Sequence, residues 1–501
     1  MAGERGVVFP EVDGRRSTSA TGRDIVADAL EPVDPVGSAA ARRETNWRSG
    51  YVQHFRRLVE AGLPSYSDAR SIAETGLASL YQRMRWLPAD GDEAPLAAAV
   101  AGAAGAPHER IDTTTIEGTG TADTSLTVPY HGRRLGGDDL RRQLDAWVAA
   151  DVVEPSLGEA VTAVLENPEW LRLDGRTVVV LGAAAEMGPL RSLLRWGATV
   201  AAVDLPRPEL WSRLLEDTSG LAGRLILPVR PGSGPVSGRA GVDLVQDLPS
   251  ATAWVSGVPG SLVLGNYVYA DGATNVRVAT SVDALSEAVR RQRSDTALSF
   301  LATPTDVFAV PGEAVDAATR SYAARRTSKV LRVPLRTLSG GRLLRRNYRP
   351  GEDPGINDSI VTQQGPNYLL AKRIQRWRAT AARASGATVS FKVAPPTRTR
   401  SVVKNRALAA AYAGAHRFGV EVFEPGTANT LMAALLVHDL VQGPPHQDHP
   451  WQDEAWAAAH GGLWRSAYDP RSALGLAALL GAASARTCRR SPNVGDNWTW
   501  R

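Results

Sequence analysis

The residues that decide the fold are Thr177-Val178-Val179-Val180-Leu181-Gly182-Ala183-Ala184-Ala185-Glu186-Met187-Gly188-Pro189. Five β-branched or aliphatic residues in a row suit a short strand covered on both faces, as in a parallel sheet. The small residues after Leu181 let the chain turn tightly and let its backbone approach a ligand. A helix predicted over 189–196 then points its first amides at an anion, and Gly197 closes it. Residues 199–203 form a second apolar run that ends in Asp204, twenty-two residues after Gly182. A carboxylate at that distance commonly bonds the ribose hydroxyls of NAD.

Strand, turn, helix, strand and acid in this order predict a Rossmann-type unit in which Gly182, Ala183, Met187, Gly188 and Asp204 meet the cofactor. Glu186 stands where such a turn often has another glycine, so its carboxylate must turn outward, capping the helix, to spare a phosphate. Arg207 follows Asp204 closely and would accept a 2′-phosphate. The cofactor expected is therefore NAD or NADP, with NAD favoured by Asp204.

Further apolar runs at 224–229, 261–264, 297–302 and 388–393 alternate with helical stretches. That rhythm predicts an α/β fold, a doubly wound parallel sheet, over 166–440. Residues 1–45 mix Gly, Arg, Asp, Ser and Pro and read as a flexible N-terminal tail. Residues 46–165 read as mainly helical, with Tyr51, Phe55, Leu58 and Val59 at helical spacing and strands within 113–130. Residues 312–357 break the rhythm and read as an irregular basic insertion in the sheet domain, and 441–501 as a C-terminal extension.

At 501 residues with 43% hydrophobic content the chain has ample material for a core, and a net charge of +5 is too mild to mark a nucleic-acid binder. A lone cysteine, Cys488, can form no internal disulfide and no zinc site. No run of about 18 apolar residues predicts a spanning helix, and no apolar signal core opens the chain, so a cytoplasmic protein is expected. The histidines at 438, 446, 449 and 460 lack the spacing of a metal site, and none is predicted.

Further along, Gln364-Gly365-Pro366-Asn367-Tyr368-Leu369-Leu370-Ala371-Lys372 places Tyr368 and Lys372 four apart on one helix face, ahead of the strand at 388–393 and of Pro395-Pro396-Thr397-Arg398-Thr399. Hydride transfer to a carbonyl needs a proton for the new alkoxide, and a tyrosine beside a cation can supply it. With these motifs in this order, residues 173–440 resemble a divergent member of the short-chain dehydrogenase/reductase family. The resemblance implies that Tyr368 is the acid/base, that Lys372 lowers its pKa and bonds the nicotinamide ribose, and that a Ser or Thr after the fifth strand orients the carbonyl. Thr303 is the first choice for that role and Thr305 the second, because no serine stands about a dozen residues before Tyr368 and Ser359 is too close. The resemblance also places Asn266 near the cofactor and Thr397 or Thr399 at the nicotinamide amide, and it allows a homo-oligomer through helices flanking the sheet.

Between residues 320 and 349 stand ten Lys or Arg and no acid, interleaved with aliphatic residues. This segment is either a solvated flap or a platform for an anionic substrate or a lipid surface, which leaves peripheral membrane contact open; its few aromatics argue against base stacking. The function expected is an NAD(P)-dependent oxidoreductase acting on an organic, anionic or acyl-like small molecule. The alternative is a non-catalytic NAD(P)-binding sensor or scaffold.

Overall fold

In the computed structural model, which describes residues 4–101, 109–324 and 329–488, the six apolar runs become parallel strands of one seven-stranded sheet. The strands are β1 (Asp112–Ile116), β2 (Arg176–Leu181), β3 (Thr199–Val203), β4 (Arg224–Val229), β5 (Ser261–Asn266), β6 (Ala297–Ala302) and β7 (Val389–Val393). Their spatial order is β7-β6-β5-β2-β3-β4-β1, with β1 antiparallel to β4 at the edge. Beginning from β2, the parallel strands wind first to one side and then to the other, which is the Rossmann order. The direction reverses between β2 and β5, where Leu181 pairs with Asn266, and a crevice opens beyond these strand ends.

Before β2 come helices α1 (Thr18–Leu30), α2 (Pro35–Arg42), α3 (Trp47–Gly62), α4 (Tyr66–Arg83), α5 (Gly137–Ala149) and α6 (Pro155–Glu166). Among the later helices, α7 (Leu190–Arg195) follows the nucleotide turn and α8 (Ala273–Gln292) joins β5 to β6. Between β6 and β7 lie α9 (Gly312–Ala324), α10 (Lys329–Leu338) and α11 (Gly365–Ala384). After β7 come α12 (Arg400–Lys404), α13 (Arg406–Gly414), α14 (Pro425–Gln442), α15 (Pro450–Ala455) and α16 (Pro470–Cys488).

The alternation of β2 explains its unbroken apolar run. Val179 and Leu181 enter a core shared with α1, α3, α4, α8 and α11, while Val178 and Val180 enter a second core with α5, α6, α7 and α14. All four side chains are fully buried, and each contributes about 2 kcal/mol relative to exposure.

The expected N-terminal tail is instead part of the first core. Val7 pairs through its amide with the Val245 carbonyl at 3.0 Å, and Val7, Val8, Ile25, Val26 and Leu30 are fully buried. Ser17 and Asp34 cap α1 and α2, accepting bonds from the Ala20 and Gly37 amides. The polar average of the segment conceals two short apolar stretches, and these are enough to dock it. The insertion also differs from the irregular segment expected: α9 packs through Ala314, Val315 and Ala318, and α10 is helical around an internal Pro334. Residues 102–108 and 325–328, within the expected loop and the insertion, lie outside the described residues.

Candidate active site

The turn after β2 is shaped by its glycine and its acid. Gly182 has φ +88°, and a Cβ there would stand 3.0 Å from the backbone of Tyr267 and Val268, so only glycine suits the position. The amides of Gly182 and Ala183 both donate to the Val203 carbonyl, at 2.9 and 3.1 Å. Asp204 accepts from the Ala184 amide at 2.8 Å and from the Leu205 amide at 2.8 Å. Burial pushes its carboxyl pKa up, against those two donors. The acid predicted for a ribose thus also holds the turn in shape. Ala183 is buried, Met187 packs against the sheet core, and the Gly188 amide donates to the Ala185 carbonyl at 3.0 Å. The helix that follows starts at Leu190 and has only six residues, shorter than expected, because Pro189 and the two turns before it hold the chain off the helix.

Glu186 lines the crevice beside the turn and caps a different helix from the one expected. Its carboxylate accepts from the Arg400 amide at 2.7 Å, at the start of α12, and from Arg400 Nε at 2.9 Å. Its carbonyl accepts from Asn429 Nδ2 at 3.1 Å. The segment after β7 is thereby tied to the turn. The crevice beside it is lined by Gly182, Asp204, Arg207, Tyr269, Arg277 and Arg400, among others.

Gln364 precedes α11, and Tyr368 and Lys372 lie on its first turns. The Tyr368 phenol stands beside Thr303 and Gln364, which act on its pKa, and the Tyr269 ring meets it edge-on with centroids 6.2 Å apart. Thr303 Oγ1 lies 2.8 Å from Thr305 Oγ1, which donates to Gln364 Oε1 at 2.9 Å. Burial raises the Tyr368 pKa to about 12; the polar groups of Thr303 and Gln364 oppose the rise, and the Asp306 charge adds to it. Lys372 Nζ donates to the Leu301 carbonyl at 3.0 Å and to Gln375 Oε1 at 3.2 Å. Burial lowers its pKa to about 8, against the pull of Asp306. Gln375 Nε2 in turn donates to Asn266 Oδ1 at 3.2 Å, linking the helix to the end of β5.

The structure therefore brings Tyr368 to Thr303 and connects Lys372 to Asn266 through Gln375. The cation expected to lower the tyrosine pKa is instead turned to Leu301 and Gln375, and the phenol lies above its ordinary value. Thr397 and Thr399 are less direct. The Thr397 hydroxyl is buried and donates to the Pro395 carbonyl at 2.7 Å, and Thr399 pairs with Ser401 at 2.9 Å. Gln364, Gln375, Tyr269 and Arg400 escaped the sequence reading. The two glutamines had a faint signal, since they stand four before Tyr368 and three after Lys372, one helical turn away.

Beneath this face, Asp306 accepts from Arg373 at 3.2 Å and Arg376 at 2.9 Å, and Arg376 grips Glu454 of α15 at 2.7 and 2.6 Å. This buried network fixes α11 against the residues that follow β6. The histidines serve local structure: His449 caps α15 and reaches the Gly62 carbonyl, and His460 pairs with Glu154 at 3.0 Å. Among the described residues no group of three or more His, Cys, Asp or Glu is gathered as a metal ion would need, and no helix is long and apolar enough to cross a membrane.

No protein-family model matches the chain, and no curated protein matches it. Among solved structures it is similar to one described as "Structure of A1-type ketoreductase", at 14% identity and a TM-score of 0.31, over 62% of this chain and 54% of that chain. The likeness thus spans about half the length of that chain. The Rossmann-like character rests on the strand order and its switch point.

Proposed function

We propose that the chain is an NAD(P)-dependent oxidoreductase of the short-chain dehydrogenase type, interconverting a hydroxyl and a carbonyl on an organic molecule. One observation carries the reading. Tyr368 stands beside Thr303, with Lys372 one turn further on, at the same edge of the sheet as the Gly182 turn and Asn266. The crevice residues fit a dinucleotide: Asp204 offers a carboxylate to a ribose, Arg207 and Arg400 offer cations to phosphates, and Gly182 leaves room for the backbone to approach. The same two arginines would accept a 2′-phosphate, so both NAD and NADP are compatible with this set.

When bound, the nicotinamide supplies a hydride to the carbonyl carbon or takes one from the alcohol. Thr303 orients the substrate oxygen by hydrogen bonding, and the Tyr368 phenol gives its proton to that oxygen as the hydroxyl forms. With its pKa near 12 the phenol holds its proton at neutral pH, which is the form that carbonyl reduction needs. Lys372, one turn along the same helix and bonded to Leu301 and Gln375, would have to turn from them to steady negative charge at the phenol. Replacing Tyr368 with Phe should lower turnover by about 10²–10⁴-fold while leaving NADPH affinity unchanged. Turnover retained in that variant would remove Tyr368 from the mechanism.

A second reading, a non-catalytic NAD(P)-binding protein, is favoured by the Glu186–Arg400 pair and by the Ala184 amide already given to Asp204. Binding of NADPH without hydride exchange across a panel of ketones and alcohols would support that reading over the first.

A further inference from the structure

Beyond the hydroxyls around Tyr368 lies a second cavity. Thr305, one hydrogen bond from Thr303, lines it, as do Ile360, Tyr412, Phe418, Leu463 and Leu474. Its outer wall is α13 and α16. These helices touch backbone to backbone: a Cβ on Gly414 would stand 2.0 Å from the Ala477 carbonyl oxygen, and one on Gly481 2.0 Å from that of Ala410. That wall has no slack for a bulky guest. The cavity measures about 80 Å³, well below a typical ligand pocket, which suits a slim chain better than a ring system.

Its charge is accounted for. Arg471 is the one charged residue lining the cavity among those described, and it donates to Asp358 at 2.8 Å, an acid that is itself buried. Three of the polar side chains are also engaged within the protein. Thr305 bonds Gln364, the Ser359 hydroxyl donates to Asn357 Oδ1, and the Ser466 hydroxyl donates to the Phe418 carbonyl at 3.3 Å. A carboxylate entering here would meet only a cation already paired with Asp358 and would lose its hydration.

We propose that this cavity receives the unbranched aliphatic chain of a neutral ketone or alcohol, with the reacting carbon held at Thr303 and Tyr368. The inference rests on the oxidoreductase reading for the reacting end alone; the chain-binding cavity stands on its own lining. It replaces the anionic substrate suggested by the basic insertion with an uncharged one.

The test is a calorimetric titration of the full chain, without nucleotide, using 2-pentanone through 2-nonanone and the keto acids of matching length. The ketones should bind about three- to fourfold tighter per added methylene until the cavity is full. The keto acids should bind at least tenfold more weakly. Leu474→Trp and, independently, Ala415→Phe should each weaken 2-nonanone at least tenfold while the NADPH titration stays unchanged. Affinity independent of chain length, keto acids as tight as the ketones, or both filled variants binding 2-nonanone normally would each overturn the proposal. NADPH binding with no ketone binding overturns this inference and spares the proposed function. Ketone binding with no NAD(P)H binding does the reverse.

Discussion

Tyr368 and Lys372 have pKa values displaced in opposite directions, each toward its own neutral form and both mainly by burial. The lysine shift has a definite sign. Burial depresses its pKa to about 8, so the ammonium is present below that pH and is lost as pH rises through it. If the ammonium assists reduction, initial rates should fall as pH climbs through about 8. Lys372→Arg, which keeps its charge, should move that fall to higher pH; an unshifted profile would show that another group sets it. Glu186 gives a second residue-scale expectation. Replacing it with Gln removes a negative charge from the turn and releases Arg400 from an exposed ion pair worth about 0.5–1 kcal/mol. NADPH affinity should then rise about two- to fivefold by titration, and a fall would mean that the pair builds the phosphate site. The placement of Tyr368 and Lys372 on one helix and of Thr303 just after a strand was legible, because helical spacing and strand ends are local features. A capping role for Glu186 was legible in kind, but its partner Arg400 is 214 positions away, a separation that no local pattern bridges.

The Tyr helix α11 is held from two sides. Asp306 sits between Arg373 and Arg376 with 1% exposure, so Asp306→Asn would leave two buried guanidinium groups with less compensation. We expect a loss of about 3 kcal/mol in urea unfolding; a loss below about 1 kcal/mol would mean that the network contributes little to stability. On the opposite side, α4 packs against α11 through Gly76, where an added Cβ would stand 2.7 Å from the Trp377 ring. Gly76→Ala should therefore destabilise by about 1–3 kcal/mol despite the better helix propensity of alanine. A stabilised variant would show that the ring moves aside freely. The existence of α3 could be read from apolar periodicity, and that of α11 from the four-residue spacing of Tyr368 and Lys372. The packing of α4 against α11 could not, because which glycine admits which tryptophan is set only in three dimensions.

At the scale of the whole molecule, the sheet was legible because strands buried on both faces must be apolar throughout, and three of the six parallel strands match their sequence runs residue for residue. The first 45 residues were not, because docking requires only a few apolar residues among many polar ones. Hydrogen exchange should find the amides of Ile25 to Leu30 as protected as those of β2; exchange at the rate of a free chain would return the segment to a tail. The central claim concerns the crevice where the strand order reverses between β2 and β5, and its most direct test is calorimetric titration of the full chain with NAD, NADH, NADP and NADPH. Saturable binding of one nucleotide per chain is expected for at least one oxidised and reduced pair, retained in Tyr368→Phe; absence of binding for all four would show that the crevice is not a dinucleotide site.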